Sequence, residues 1–362
     1  MIKLRLQFDE RAIPGFLTQG SAGQFVELYE IFGFPEAITI VVPKSLPKDV
    51  YRPYTKAFGE KGKQVHLSSV SVPEIPTLSG ITKLFNQLPL EEPAANRLLV
   101  LFGGGRFFNA VDYCIGLMRS PPHAIHLPTT LTAQIEFPFS RKSYLFSEKI
   151  PNLFKLQKVH REFLWGDVQV LQHLSENIFR TGLLALIRLA VILDRQLFLF
   201  IESKVQLLIQ RDAGTLLQLI YKIYQVKKNI LFPTELHVIL EKWNTESLFG
   251  FWGIMKSQIP ELTLYDLFIW ENIWRWRYML TAGEADQTDF KRVLNLLKTF
   301  HLLEAASGEV FVKFLQRLKS LPGVPLSGEV ILPRSIGKVV VKTGLDENLF
   351  WQSLASVESY LS

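Results

Sequence analysis

LVLFGGGRFFNA, residues 99–110, runs from an apolar stretch into three consecutive glycines and then into Arg106, two phenylalanines and Asn109. The preceding RLLVLF (97–102) is a short continuous apolar run, the pattern of a strand covered on both faces. Glycines placed directly after such a strand let backbone approach a phosphate, because no Cβ stands in the way. The same glycines would also shape a tight strand-to-helix turn with no ligand at all. The stretch therefore reads as strand, turn and helix, and it leaves the nucleotide open.

Outward from this point, the first half alternates strand-like and helical runs. IKLRLQF (2–8), AITIVVP (37–43), KQVHLSSV (63–70) and HAIHLP (123–128) read as strands, the third more faintly than the others. IPTLSGITKLFNQLP (75–89) and FNAVDYCIGLMR (108–119) read as helices. Strand, helix and strand at this spacing predict a mostly parallel sheet wrapped by helices. Beyond Phe154 long helical patterns take over, with ILPRSIGKVVV (331–341) the one clear strand-like run. The expected organisation is an α/β Rossmann-like domain over 1–160 and a mainly α-helical domain over 161–362. The four tryptophans from Trp252 to Trp276 fall at helical apolar positions and read as core.

A chain of 362 residues exceeds the usual size of one domain, which makes two domains the natural reading. The net charge of +6 comes from 40 Lys and Arg against 34 Asp and Glu, a mild surplus that suits an anionic metabolite. No arginine-rich tract or aromatic-basic interleaving is present, so nucleic acid is not expected as a partner. Cys114 is the only cysteine, which rules out an intrachain disulfide and fits a reducing compartment. MIKLRLQFDE lacks the basic-then-apolar order of a signal peptide, so a cytoplasmic location is expected. The most apolar segment, residues 181–202, is interrupted by Arg188, Asp194 and Arg195. Each would be costly at mid-bilayer, so it reads as a buried helix and no membrane association is expected.

The landmarks, taken in order, resemble 3-dehydroquinate synthase and its sugar-phosphate cyclase relatives. They are GGG at 103–105, Arg119, HLPTTLTAQIEFPFSRKS (126–143), FRTGLLALIRLA (179–190) and the tail SGEVILPRSIGKVVVKTGLDENLFWQSL (327–354). PTTLTAQ is the most specific of them. The resemblance implies an N-terminal Rossmann-like domain that binds NAD, a helical C-terminal domain that binds a divalent metal, and an active site in the cleft between them. Family members convert a heptulosonate phosphate into a carbocycle with NAD as a recycled hydride carrier, and they are commonly cytoplasmic homodimers.

Carried over residue by residue, the resemblance holds only in places. On the cofactor side Gly103, Gly104, Gly105, Thr129 and Thr130 match, whereas the family's Asp after the glycines is Asn109 and bulky Phe107 and Phe108 precede it. The family's Gly-Glu-x-x-Lys leaves a trace in PEIPT (73–77), with Glu74 kept and Thr77 in place of Lys. On the substrate side Arg119, Lys142 and Lys149 match cationic positions, and Glu136 stands for an Asp. On the metal side the ligand Glu falls at Ala185, with Arg188 for the neighbouring Lys. The two histidine motifs place best at Thr234 and Phe249, or alternatively at Lys298, with His237 and His301 as strays. Zinc needs three protein ligands and an open position, so no metal is expected.

Three readings follow. The first is a degenerate cyclase-fold protein that binds NAD weakly and attracts a small phosphorylated or carboxylated metabolite, as a homodimer. The second is an active 3-dehydroquinate synthase or a relative with altered chemistry. The third is an interaction or structural subunit, using the aromatics of the C-terminal half.

Overall fold

The computed structural model describes residues 1–8, 11–89, 97–136, 138, 143–147, 153–156, 162–230, 252–321 and 329–361. The chain forms two compact units. One comprises Met1–Leu145, Phe154–Phe179 and Arg211–Tyr221; the other comprises Phe146–Leu153, Arg180–Gln210 and Lys222–Ser362.

The first unit is built on a seven-stranded sheet. Its strands are β1 (Ile2–Phe8), β2 (Arg11–Thr18), β3 (Ala37–Pro43), β4 (Val65–Val70), β5 (Arg97–Gly103), β6 (His123–Pro128) and β9 (Leu164–Asp167), ordered β1-β2-β9-β6-β5-β3-β4. β7 (Ser143–Phe146) and β8 (Leu153–Leu156) pair separately as a two-stranded ribbon. All neighbours in the large sheet are parallel except β1 with β2. The helices here include α1 (Ala22–Ile31), α2 (Lys48–Glu60), α3 (Leu78–Phe85), α4 (Gly105–Gly116) and α5 (Leu131–Glu136). Leu98 to Phe102 of the central β5 are all fully buried, which is why its sequence is continuously apolar. The edge strand β4 buries only Val70, and its sequence accordingly patterns poorly.

Two strands of this sheet lie outside the sequence reading. RAIPGFLT carries Pro14 and Gly15, which read as turn punctuation, yet the run pairs with β1 and β9 as β2. Its glycine serves packing: a Cβ on Gly15 would come 3.1 Å from Leu6 Cδ1. LWGD is only four residues long, and Gly166 there gives room to Leu17 in the same way.

The second unit is mainly helical. It contains most of α6 (Glu176–Leu193) together with α7 (Arg195–Ser203), α8 (Val205–Ile209) and much of α9 (Ala213–Ile230). These are followed by α10 (Trp252–Gln258), α11 (Leu264–Thr281), α12 (Gln287–Thr299), α13 (Gly308–Ser320) and α14 (Glu347–Ala355). The most apolar segment breaks at Asp194, whose carboxylate caps α7 by accepting from Leu197 N–H at 2.7 Å. No helix among the described residues is long and apolar enough to cross a membrane. Trp252, Trp270, Trp274 and Trp276 are all buried, as their helical spacing predicts.

The run at 331–341 is two strands rather than one: β10 (Glu329–Ser335) turns at Ile336–Gly337 into the antiparallel β11 (Lys338–Thr343). Gly337 has φ +80°, and a Cβ there would lie 2.7 Å from Arg195 N. Only glycine satisfies both demands.

Candidate functional site

Consecutive strands β3 and β4 are neighbours, and the chain then places β5 on the other side of β3. In an open parallel sheet this reversal opens a crevice beyond the carboxyl ends of the flanking strands, and ligands bind there. The glycine turn lies at the end of β5, beside that crevice.

The three glycines have three different surroundings. A Cβ on Gly103 would fall 2.2 Å from Phe107 Cδ1, so the first glycine makes room for a core ring. Gly104 is the N-cap of α4, and a Cβ there would come 3.0 Å from the Thr130 methyl. A Cβ on Gly105 would meet nothing within 4 Å. Gly104 has no side chain with which to cap α4, whose first turn carries backbone N–H groups at the positive end of the helix dipole. The bulky Phe107 and Phe108 are both buried in the core with Leu99, Leu101 and Val111.

The Thr pair belongs to the same turn. Thr129, buried, donates its N–H to the Gly103 carbonyl at 2.8 Å. Thr130 starts α5: its hydroxyl accepts from Ala133 N–H at 3.2 Å and its carbonyl from Gln134 N–H at 2.9 Å. Asn109, one turn into α4, donates Nδ2–H to the Tyr144 carbonyl at 2.7 Å and accepts Tyr144 N–H on Oδ1 at 2.6 Å. The residue at the family's Asp position thus ties α4 to β7.

Arg119 is exposed and lies beyond the far end of α4, a helix of 12 residues and therefore about 18 Å long. It is not gathered with the glycines. Glu136, half-buried, ends α5, while Lys142 and Lys149 lie outside the described residues. Glu74 offers its backbone carbonyl to Arg106 Nη1 at 3.4 Å, and Thr77 caps α3.

Sequence reasoning missed a buried polar group at the same end of the sheet. Asp167, last residue of β9, accepts from Gly20 N–H at 2.8 Å, Gln169 N–H at 2.9 Å and the Tyr54 hydroxyl at 2.9 Å. Trp165 Nε1–H donates to that hydroxyl at 3.1 Å. Burial, and then the Asp167 carboxylate, push the Tyr54 phenol well above its ordinary value, so it stays a donor. Gln134 Nε2 donates to the carbonyls of both Pro128, at 3.0 Å, and Asp167, at 2.8 Å. Gln134 belongs to the PTTLTAQ run, which was the available signal; Tyr54 and Asp167 are 113 positions apart and gave none. Deeper in the core, His126 Nε2 lies 2.8 Å from Asp112 Oδ1.

In the second unit, the proposed metal-ligand position Ala185 is buried on α6. One turn on, the Arg188 guanidinium covers the Phe268 ring at 4.8 Å. Nearby charge is internal bracing: buried Arg275 donates Nε–H to Glu271 at 2.9 Å and Nη1–H to the Ile331 carbonyl at 2.6 Å. His301 has φ +55° and pairs on the surface with Glu304 at 2.8 Å. Thr234, His237 and Phe249 lie outside the described residues. Among the described residues no three His, Cys, Asp or Glu side chains come together as a metal-ligand group.

No family model matches the chain. It is 20% identical to the 3-dehydroquinate synthase of Dictyoglomus thermophilum, with 99% of each chain covered. In structure it is similar to 2-epi-5-epi-valiolone synthase from Streptomyces hygroscopicus subsp. jinggangensis, solved with NAD+ and zinc, at a TM-score of 0.76 and 16% identity over 98% of both chains. It is also similar to a 2-deoxy-scyllo-inosose synthase complexed with carbaglucose-6-phosphate, NAD+ and cobalt. There the TM-score is 0.73 and the identity 16%, over 98% of this chain and 100% of that one. Sequence order and fold agree along nearly the whole length: the chain is similar in sequence to 3-dehydroquinate synthases and shares the fold of the sugar-phosphate cyclases.

Proposed function

We propose that the chain is a 3-dehydroquinate synthase-like protein that has lost the family's catalysis and keeps weak binding of NAD or of a small phosphate at the Gly104–Thr130 turn. The observation that carries this reading is the divided state of that turn. Its anion-receiving half is intact: an uncapped helix start, open space at Gly105 and the neighbouring Thr130. The position of the family's cofactor-side Asp is not, because Asn109 has no carboxylate and both ends of its amide are engaged with Tyr144. Loss of one charge-assisted hydrogen bond costs about 1.5–3 kcal/mol, roughly ten- to a hundredfold in affinity.

The described residues suit a diphosphate and do not supply a metal. Gly104, Gly105, Thr129 and Thr130 would hold the cofactor's phosphates, and the bound nicotinamide would supply hydride chemistry. Ala185 offers no lone pair, so no metal-dependent step is derived. Titration with NAD tests the proposal: a Kd in the high micromolar range or weaker is expected, and sub-micromolar binding would overturn it. Elemental analysis of protein purified without chelator should find well under one metal ion per chain.

Similarity to a curated synthase over 99% of the chain favours a second reading, an active cyclase. Phosphate release from the heptulosonate phosphate substrate decides between the two.

A further inference from the structure

We propose that Gln134 is a positioning residue for the anion-binding turn, an inference that rests on the reading of that turn as a nucleotide or phosphate site. The side chain is fully buried. A single Nε2 donates both of its hydrogens to carbonyls on neighbouring strands, Pro128 at the end of β6 and Asp167 at the end of β9. Pro128 is followed by Thr129, whose N–H holds the Gly103 carbonyl at 2.8 Å. The next residue, Thr130, sets its methyl where a Cβ on Gly104 would come within 3.0 Å. On the other side, Asp167 is fixed by its three donors from the β2–α1 loop, from α2 and from its own turn.

A continuous path of hydrogen bonds therefore runs from Tyr54 through Asp167, Gln134 and Pro128–Thr129 to Gly103, across the carboxyl ends of β9, β6 and β5. The site's own groups, the Thr129–Thr130 backbone and the first turn of α4, hang from this path. Gln134 touches neither phosphate nor ribose in this account. It sets the spacing of the two segments that do. The two N–H donors on its one planar nitrogen serve both carbonyls at once.

The test uses the full-length protein, with NAD as the probe and ligand-observed NMR to measure Kd up to about 10 mM, a range suited to weak ligands. Three variants are compared with wild type: Gln134→Glu, Gln134→Met and Leu84→Ala, the last a buried residue of α3 outside the path. Gln134→Glu sets a carboxylate against two carbonyl oxygens at pH 8. Its Kd should rise about tenfold there and recover as the pH falls, because a protonated carboxyl can donate to one carbonyl. Gln134→Met should stay weak at every pH. Leu84→Ala should lose thermal stability and keep the wild-type Kd. Hydrogen exchange at Thr129 N–H should quicken in both Gln134 variants at pH 8 and not in Leu84→Ala.

The proposal is overturned if Gln134→Glu binds like wild type at pH 8. It is also overturned if Leu84→Ala weakens NAD as much as the Gln134 variants do, which would make Gln134 merely structural. Wild-type protein that shows no NAD binding up to 10 mM would refute the reading of the turn itself, and the positioning role with it.

Discussion

The carboxyl ends of the sheet strands in the first unit and the α6–α11 region of the second use buried polar groups in opposite ways. At the sheet ends, Asp167, Gln134 and Thr129 direct most of their hydrogen bonds to backbone, holding a glycine turn in place. In the helical unit, Arg275 and Glu271 spend theirs largely on each other, and Arg188 lies on an aromatic ring. The first arrangement shapes the turn at the end of β5. The second matches Arg275 with Glu271 inside the unit.

The largest expected effect separates matched charge from available charge. Glu271→Ala leaves Arg275 buried without its carboxylate and should destabilise the protein by about 3–5 kcal/mol in denaturant unfolding. Replacing Glu271 and Arg275 together by Leu and Met should recover most of that loss. A small effect of Glu271→Ala alone would mean that the pair is not the brace described.

Next comes a contrast inside the glycine turn. Gly103→Ala drives a Cβ into Phe107 and should cost about 1–3 kcal/mol. Gly105→Ala enters open space at the first position of α4, so stability should hold or rise by about 0.5 kcal/mol while NAD affinity falls. If the two variants behaved alike, the division of the turn into a packing glycine and a binding glycine would fail.

Much of this fold was legible because the informative residues are local. The continuous apolar runs of β3, β5 and β6 and the helical spacing of the tryptophans needed no partner to be read. β2 and β9 were not legible, since Pro14, Gly15 and Gly166 signal turns locally and make sense only against Leu6 and Leu17. The hairpin at Gly337 was hidden in one β-branched run for the same reason. At the site, PTTLTAQ and the glycines were visible, but the engagement of Asn109 with Tyr144 joins residues 35 positions apart. No pattern in either segment announces it.

That engagement yields a smaller prediction. Asn109→Asp restores the family's residue type, yet it places a carboxylate oxygen against the Tyr144 carbonyl. The variant should lose about 1–2 kcal/mol of stability and gain no NAD affinity at pH 8. Tighter NAD binding in this variant would show that the substitution, rather than its surroundings, weakened the cofactor site.

The smallest effect is a pH dependence confined to the helical unit. Backbone N–H groups of Thr288 and Asp289 hold the Asp286 carboxyl below its usual range, and Asp286 caps α12. A carboxyl depressed in the folded state stabilises above its unfolded pKa, and that contribution fades as the pH falls through the folded value. Asp286→Asn keeps a cap without a titrating group, so unfolding curves of the variant should lose a small part of the acid-side decline. An identical decline in both proteins would remove Asp286 from the account.

Catalysis itself is tested most directly by phosphate release from the heptulosonate phosphate, with full-length protein, NAD and either zinc or cobalt supplied in excess. The proposed loss of cyclase chemistry predicts release no faster than in the absence of protein, whichever metal is present. Turnover that requires both NAD and the metal would contradict it.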